Sequence, residues 1–449
     1  MNQARRYIER VISDLNERFP WEIEYDQAVA EFLFSIEPVL EREKSFEEAR
    51  VLERLVVPER MHTFRVVWTD DTNRVQTNYG YRVQFNSALG PFMGGTHFHA
   101  SVNMDLIKFL GFETVFKNAL TGLPFGGGMG GADVDTHSLS QNEMIRFCQS
   151  YIGALFRHIG PNVDVPGSGE GVGTREIGYL LGSFKRLAWN FGASFTGKST
   201  EWGGSNLRPE STGYGVVYFA QNVLEEKRFE LRGSRMAVSG FGTLASSVIQ
   251  KALAAGARIV AISGSDGFVY QPDGVTQEGF EFIRNMKYSG RDEIWPYAER
   301  FNLEYVPGKK PWNVPCDIAI PCAFKDEIEK EDAEALIHNG CLALIEGTNR
   351  ATTPVAIQLL QDTRTTFVPG KAANAGGVVV SALEINQNQM GVLWSSDEVD
   401  ARLQVIMKDI HDTCLAASTS YGDKGNYLMG ANISSFERIA NAMIEQGAL

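Results

Sequence analysis

Residues Gly90–Gly131 read GPFMGGTHFHASVNMDLIKFLGFETVFKNALTGLPFGGGMGG. The stretch opens on Gly-Pro and a Gly-Gly pair, runs through a helical segment at Asn103–Leu120, and closes on a glycine-dense loop at Gly126–Gly131. Glycine at that density is kept where backbone must take positive φ or come close to a ligand. Lys117 stands on the helix between the two loops. Where each loop would offer another cation, the chain has Met93 and Met129.

Outward from this stretch, 449 residues suffice for two or three domains with sizeable cores. Hydrophobic residues at 43% and charged residues at 22% describe an ordinary soluble globular protein. A net charge of −13 argues against a nucleic-acid partner, whose phosphates call for a basic face. No run of about 18 apolar residues predicts a membrane span. The amphipathic N-terminus lacks the apolar core and cleavage site of a secretory signal, so a cytoplasmic protein is expected. The five cysteines show no CxxC or CxxH spacing and the seven histidines no HExxH, so no metal is expected.

Residues 1–56 carry helical periodicity. Arg60–Thr69 and Val75–Asn86 alternate as strands around a DDTN turn. A helix follows with Met144, Phe147, Cys148, Tyr151 and Leu155 on one face. Asn162–Gly173, NVDVPGSGEGVG, is a further glycine-rich loop leading into a helix from Thr174. The second half alternates strand and helix: Ser234–Ser239 runs into Gly240-Phe241-Gly242-Thr243-Leu244-Ala245, then a helix, then a strand at Arg258–Ser263. That βαβ unit places GxGxxA where a dinucleotide site needs it. Gly240 allows the tight turn, Gly242 lets a pyrophosphate approach, Ala245 permits close helix packing, and the helix opening at Thr243 faces the phosphates. Later strands at Asp317–Pro321, Cys341–Glu346 and Thr366–Pro369, separated by helices, predict a doubly wound parallel sheet. The expected fold is α/β in two domains: residues 1–203 with 425–449 for substrate and oligomerisation, and a Rossmann-like 204–424 for the dinucleotide.

The segments SVN, KFLGFE and FKNAL and the two glycine loops resemble the glutamate/leucine/phenylalanine/valine dehydrogenase family, the glutamate dehydrogenases in particular, over almost the whole chain. The resemblance implies an NAD(P)-dependent oxidoreductase, hexameric, interconverting an amino acid and its 2-oxo acid across a cleft between the two domains. In that family the first-loop lysine holds the side-chain carboxylate and the helix lysine the α-carboxylate. The second-loop lysine polarises the carbonyl or imine, and an aspartate in a PAGDIGVG-like loop handles protons. Lys117 matches the helix lysine, and Ser381, in GKAANAGGVVVSALE, matches a residue near the substrate carboxylate. Thr196, Asn374, Thr212 and Asn349 match other cleft-lining positions. The two loop lysines are Met93 and Met129, and the aspartate aligns with Gly169.

Methionine matches the length of lysine's stem without its charge or donors. At Met93 alone this implies changed specificity, since the leucine and phenylalanine dehydrogenases carry an apolar residue there. Those relatives keep the second lysine and the aspartate, so Met129 and Gly169 imply a changed mechanism. Glu170 is a candidate replacement base, weighed against a solvated or salt-bridged loop carboxylate; His97 stands where the family has an arginine, with a structural role preferred. Two readings follow for function. One is a dehydrogenase of altered substrate or mechanism. The other is a catalytically silent homologue that binds nucleotide or amino acid as a regulatory or assembly protein; rescue of ordinary glutamate turnover by an unseen group ranks third. For the cofactor, Asp266 in SGSDG is the candidate acceptor of a ribose 2′-hydroxyl. No lysine or arginine is evident for a 2′-phosphate, so NAD is favoured over NADP.

Overall fold

Apolar periodicity and capping decide the helices that begin the chain. Asn2 caps α1 (Gln3–Arg18) by accepting from Arg5 N, and the helix buries Ala4, Tyr7, Ile8, Val11 and Leu15 at helical spacing. Helices α2 (Ile23–Ser35), α3 (Glu37–Arg42), α4 (Ser45–Glu48) and α5 (Val51–Leu55) follow. The computed structural model describes residues 2–190 and 192–447; Met1, Phe191, Ala448 and Leu449, expected in the first domain, lie outside them. The chain divides into two compact units, Met1–Arg208 with Val380–Val399 and Asn432–Leu449, and Pro209–Val379 with Asp400–Ala431.

In the first unit β1 (Arg60–Thr69) and β2 (Val75–Asn86) form an antiparallel hairpin from Arg60↔Gln84 to Thr69↔Val75. Then come β3 (Phe92–Phe98), α6 (Met104–Leu120), β4 (Gly126–Ala132), α7 (Gln141–Leu155), β5 (Asp164–Gly167) and α8 (Thr174–Ala188). The sheet order is β1-β2-β4-β3-β5, with β3 parallel to both β4 and β5. Both glycine segments expected as loops are therefore strands. The face of α7 read from sequence is buried with Val66, Trp68 and Phe98 and with Ile177, Leu180 and Phe184 of α8.

The second unit runs α9 (Ser211–Glu226), β6 (Arg235–Val238), α10 (Thr243–Ala254), β7 (Arg258–Ser263), β8 (Gly267–Tyr270), α11 (Gln277–Tyr288), α12 (Trp295–Phe301), β9 (Glu304–Pro307) and β10 (Ile318–Ile320). It continues through α13 (Lys330–His338), β11 (Ala343–Ile345), α14 (Pro354–Gln361), β12 (Thr366–Val368) and α15 (Gly370–Ala373). Helices α16 (Gly376–Met390), α17 (Ser396–Ser420) and α18 (Tyr427–Glu445) follow, each contributing residues to both units. The seven-stranded sheet has the order β12-β11-β10-β6-β7-β8-β9. Its first five strands are parallel, whereas β8 and β9 pair antiparallel, so the expected all-parallel sheet is a mixed one. Four-residue strands beside an Asp-Gly turn carry too little alternation to announce themselves. Among the described residues no helix is long and apolar enough to cross a membrane.

Candidate functional site

The glycines of β4 exist for packing. A Cβ on Gly127 would stand 2.6 Å from Val115 Cα of α6, and one on Gly131 2.5 Å from His97 O. On β3 a Cβ at Gly94 would fall 1.6 Å from Gly128 O. Helix α6 thus lies directly on the two strands, and Asn118 fastens all three elements: its Nδ2 donates to Met93 O (3.0 Å) and Gly126 O (2.6 Å). Below them the buried Arg82 binds the Asp164 carboxylate and donates to Gly95 O at 3.0 Å, so one guanidinium positions β2, β3 and β5. A buried pair of this kind costs several kcal/mol to desolvate and holds its geometry because both partners are hydrogen-bonded.

On this scaffold Met93 is 2% exposed and Met129 4%. Their strands are neighbours, with Met93 opposite Gly127 and Val83 opposite Met129. Met129 extends over Gly95: a Cβ there would lie 3.3 Å from Met129 Cε and 3.0 Å from Ser168 O. The third position is reached through the same contact, since Ser168 precedes Gly169. A Cβ on Gly169 would stand 2.5 Å from both His97 Cδ2 and Thr96 O, and 3.0 Å from His97 Nε2. The imidazole therefore fills the space in which a side chain at 169 would begin. The loop is clamped onto β3 by Phe98 N to Glu170 O (2.8 Å), and Gly171 takes φ +67 because a Cβ would strike Phe98 O at 2.1 Å. Glu170 is 64% exposed, with its carboxylate 3.8 Å from His97 Nδ1. Burial lowers the His97 pKa, while Glu170 draws it back up and His99 depresses it slightly.

Lys117 is half-buried in the last turn of α6. Ser381 is buried on α16, and its carbonyl accepts from Thr196 Oγ1 at 3.4 Å. One turn further along α16, Glu384 binds Lys198 Nζ at 2.6 Å and accepts from Gly197 N at 3.1 Å. This buried pair fixes the Thr196 loop against α16. Arg208 donates to Ser168 Oγ at 3.4 Å, placing a guanidinium next to the Gly169 loop. Sequence reading missed Arg82, Lys198, Arg208 and Glu384. Only Glu384 left a signal, three residues after Ser381 on a helix, where side chains share a face. An open concavity of about 660 Å³ along α8, lined by Thr174, Tyr179, Lys185 and Trp202, includes none of the positions 93, 129 and 169.

In the second unit the glycines behave differently. Gly240 has φ +73, and a Cβ on Gly242 would meet nothing within 4 Å, leaving open room before the N-terminus of α10 at Thr243. Ala245 is buried. Gly240 N donates to Ser263 Oγ at 3.1 Å, joining the turn to the end of β7. Beneath it the Ser239 hydroxyl donates to Glu327 at 2.8 Å, and burial pushes the Glu327 carboxyl up to about 7. Asn374 Nδ2 donates to Asn349 Oδ1 (2.8 Å) and Gly347 O (2.9 Å), bringing two expected site residues together. Its Oδ1 is buried and accepts no hydrogen bond among the described residues, which fits a ligand carrying an N–H donor. Thr212 lies half-buried in the first turn of α9. These features fit a dinucleotide: the open turn for its phosphates, the orphan acceptor for an amide.

Asp266, the residue expected at the ribose, is also tied into the fold. Its carboxylate caps α12, accepting from Ile294 N (2.7 Å) and Trp295 N (3.1 Å), and receives the Tyr305 hydroxyl at 3.0 Å. Both oxygens are thus engaged within the fold, Oδ1 by a single hydrogen bond. The region is not without a cation, since Lys287 pairs with Asp292, whose carbonyl accepts from Ser265 N at 2.9 Å.

A family model described as Glutamate/Leucine/Phenylalanine/Valine dehydrogenase matches residues 203–447, and one described as Glu/Leu/Phe/Val dehydrogenase, dimerisation domain, matches 58–186. The NAD-specific glutamate dehydrogenase of Bacteroides fragilis is 48% identical over 443 residues, covering 98% of this chain and 100% of that one. The NADP-specific glutamate dehydrogenase of Haemophilus influenzae is 47% identical over 441 residues, covering 98% of each. Among solved structures, Plasmodium falciparum glutamate dehydrogenase 2 superposes with a TM-score of 0.97 at 43% identity, covering 100% of this chain and 98% of that one. Near-equal likeness to an NAD- and an NADP-specific relative leaves the choice of cofactor open.

Proposed function

The chain belongs to the glutamate/leucine/phenylalanine/valine dehydrogenase family, and on that premise we propose that it interconverts a 2-amino acid and its 2-oxo acid with NAD or NADP, on a substrate whose distal carboxylate is no longer held. Lys117 and Ser381 are assigned to the α-carboxylate, with Thr196 beside them. Met93 and Met129 are assigned to an apolar bed under the side chain. Gly240, Gly242, Thr243, Ala245, Thr212, Asn349 and Asn374 are assigned to the dinucleotide. When bound, the nicotinamide supplies or takes up the hydride; the residues of the chain bind, orient and move protons. The expected assembly is a homo-hexamer, in keeping with the dimerisation-domain match in the first unit.

One observation carries this reading: Met129 reaches across Gly95 and Met93 lies on the adjoining strand, both nearly wholly buried. Two cations placed so would bind a dicarboxylate; two thioethers there favour an apolar chain. Hydrogen bonds to a charged group contribute about 1.5–3 kcal/mol each, so their loss weakens 2-oxoglutarate by at least an order of magnitude. The test is oxidation of NADH and NADPH with ammonia and a panel of 2-oxo acids. Turnover with apolar 2-oxo acids above that with 2-oxoglutarate supports the reading. Cofactor binding without any turnover supports a silent homologue instead, and ordinary glutamate kinetics refutes both.

A further inference from the structure

Position 169 has no side chain, and the space that side chain would enter holds an imidazole. We propose that His97, backed by Glu170, is the proton carrier of this site in place of an acid at 169. The inference rests on the dehydrogenase reading above and names the group that would serve it.

Three contacts support the assignment. His97 Nε2 lies 3.0 Å from where a Cβ of residue 169 would be, so the ring nitrogen stands at the root of the missing side chain. His97 Nδ1 faces the Glu170 carboxylate at 3.8 Å, an arrangement that directs Nε2 away from the acid. The Phe98 N to Glu170 O bond (2.8 Å) locks loop to strand, so the pair is built into the sheet edge. The titratable groups facing the ring are Glu170 and His99. Burial lowers the pKa of the imidazole and so favours the neutral form a base needs.

In the deaminating direction a water adds to the iminium carbon that hydride loss from the neutral amine leaves. The carbon–oxygen bond forms, the C=N pair moves to nitrogen, and the water's proton passes to His97 Nε2. The resulting imidazolium is stabilised by Glu170 and returns its proton to solvent.

Three measurements decide the matter. In protein labelled at histidine Cε1, the His97 resonance is assigned by its loss in His97→Asn and titrated with and without NADH and 2-oxopentanoate. It should titrate below the ordinary histidine value, fall further in Glu170→Gln, and move when the ligands bind. A resonance indifferent to Glu170→Gln and to ligand overturns the proposal, whether or not the protein turns over. Where turnover is found, His97→Asn should lower kcat by about 10²–10⁴-fold, with the acidic limb of the pH profile lost and KM little changed. An unmoved profile overturns the proposal while leaving the dehydrogenase reading standing. Absence of turnover with every 2-oxo acid removes that reading, and the titration still judges His97. Geometry gives a check free of chemistry: Gly169→Asp alone should lower Tm, and adding His97→Ala should restore part of the loss. Equal Tm in the single and double variants would deny that the ring fills that space.

Discussion

Glycine does opposite work in the two units. In β3 and β4 it removes side chains so that strand, strand and helix can touch, and an added Cβ at Gly94, Gly127 or Gly131 meets another backbone within 2.6 Å or less. In the β6–α10 turn Gly242 faces open space, with φ −64 and ψ −175, a conformation open to any residue. One cluster is sealed by the protein's own atoms; the other leaves room for something else. The lesson is that glycine density by itself says only that a Cβ is unwelcome, and the neighbour decides whether fold or ligand is the reason.

The sharpest way to break this contrast is to add one methyl to each cluster. Gly94→Ala should cost more than about 4 kcal/mol, since the new carbon would collide with a carbonyl that cannot retreat, and no cooperative unfolding transition is expected by calorimetry. Gly242→Ala should leave Tm unchanged within about 2 °C and weaken NADH binding at least tenfold by fluorescence titration. Reversal of the two outcomes would overturn the assignment of both regions. Next in size is Arg82→Leu, which strands the buried Asp164 carboxylate and should cost about 3–5 kcal/mol in urea unfolding. A loss below about 1 kcal/mol would mean that the guanidinium does not organise the glycine strands.

A smaller effect is expected from restoring charge to the first unit. Met93→Lys, Met129→Lys and Gly169→Asp combined with His97→Ala should raise kcat/KM for 2-oxoglutarate by about 10²-fold, read from steady-state rates. No gain would mean that the site differs from its relatives beyond these positions. The last concerns the second unit. Burial pushes Glu346 up to about 7 from an ordinary 4.5, while Thr352 N and Gly370 N donate to it. The folded state thus holds its proton more tightly than the unfolded chain. The stability this gives is full below about pH 4.5 and is lost as pH rises through 7. Glu346→Gln should flatten the decline between about pH 5 and pH 8 by about 2–3 kcal/mol at most; an unchanged slope would deny the shift.

Much of the architecture was legible in residue patterns. The β1–β2 hairpin follows its alternation, α7 buries the face its spacing marked, and the β6–α10–β7 unit sits where GFGTLA required. What escaped was decided by neighbours distant in sequence. Gly126–Gly131 looked like a loop because glycine has low strand preference, yet the packed α6 holds it extended. Strands β8 and β9 were too short to show a period. At the site, the positions 93, 129 and 169 could be named from sequence alone. That His97 fills the volume beside Gly169, or that Asp266 caps α12, depends on contacts between separate segments. Arg82 and Asp164 likewise pair across 82 residues, and nothing local joins them.

The most direct measurement compares two ligands of equal chain length on NADH-loaded protein by calorimetry: 2-oxoglutarate, and 2-oxopentanoate, which lacks only the distal carboxylate. With Met93 and Met129 in place of cations, 2-oxopentanoate is expected to bind at least as tightly. Preference for 2-oxoglutarate by about tenfold, worth about 1.4 kcal/mol, would show that a cation still meets the distal carboxylate and would contradict the reading.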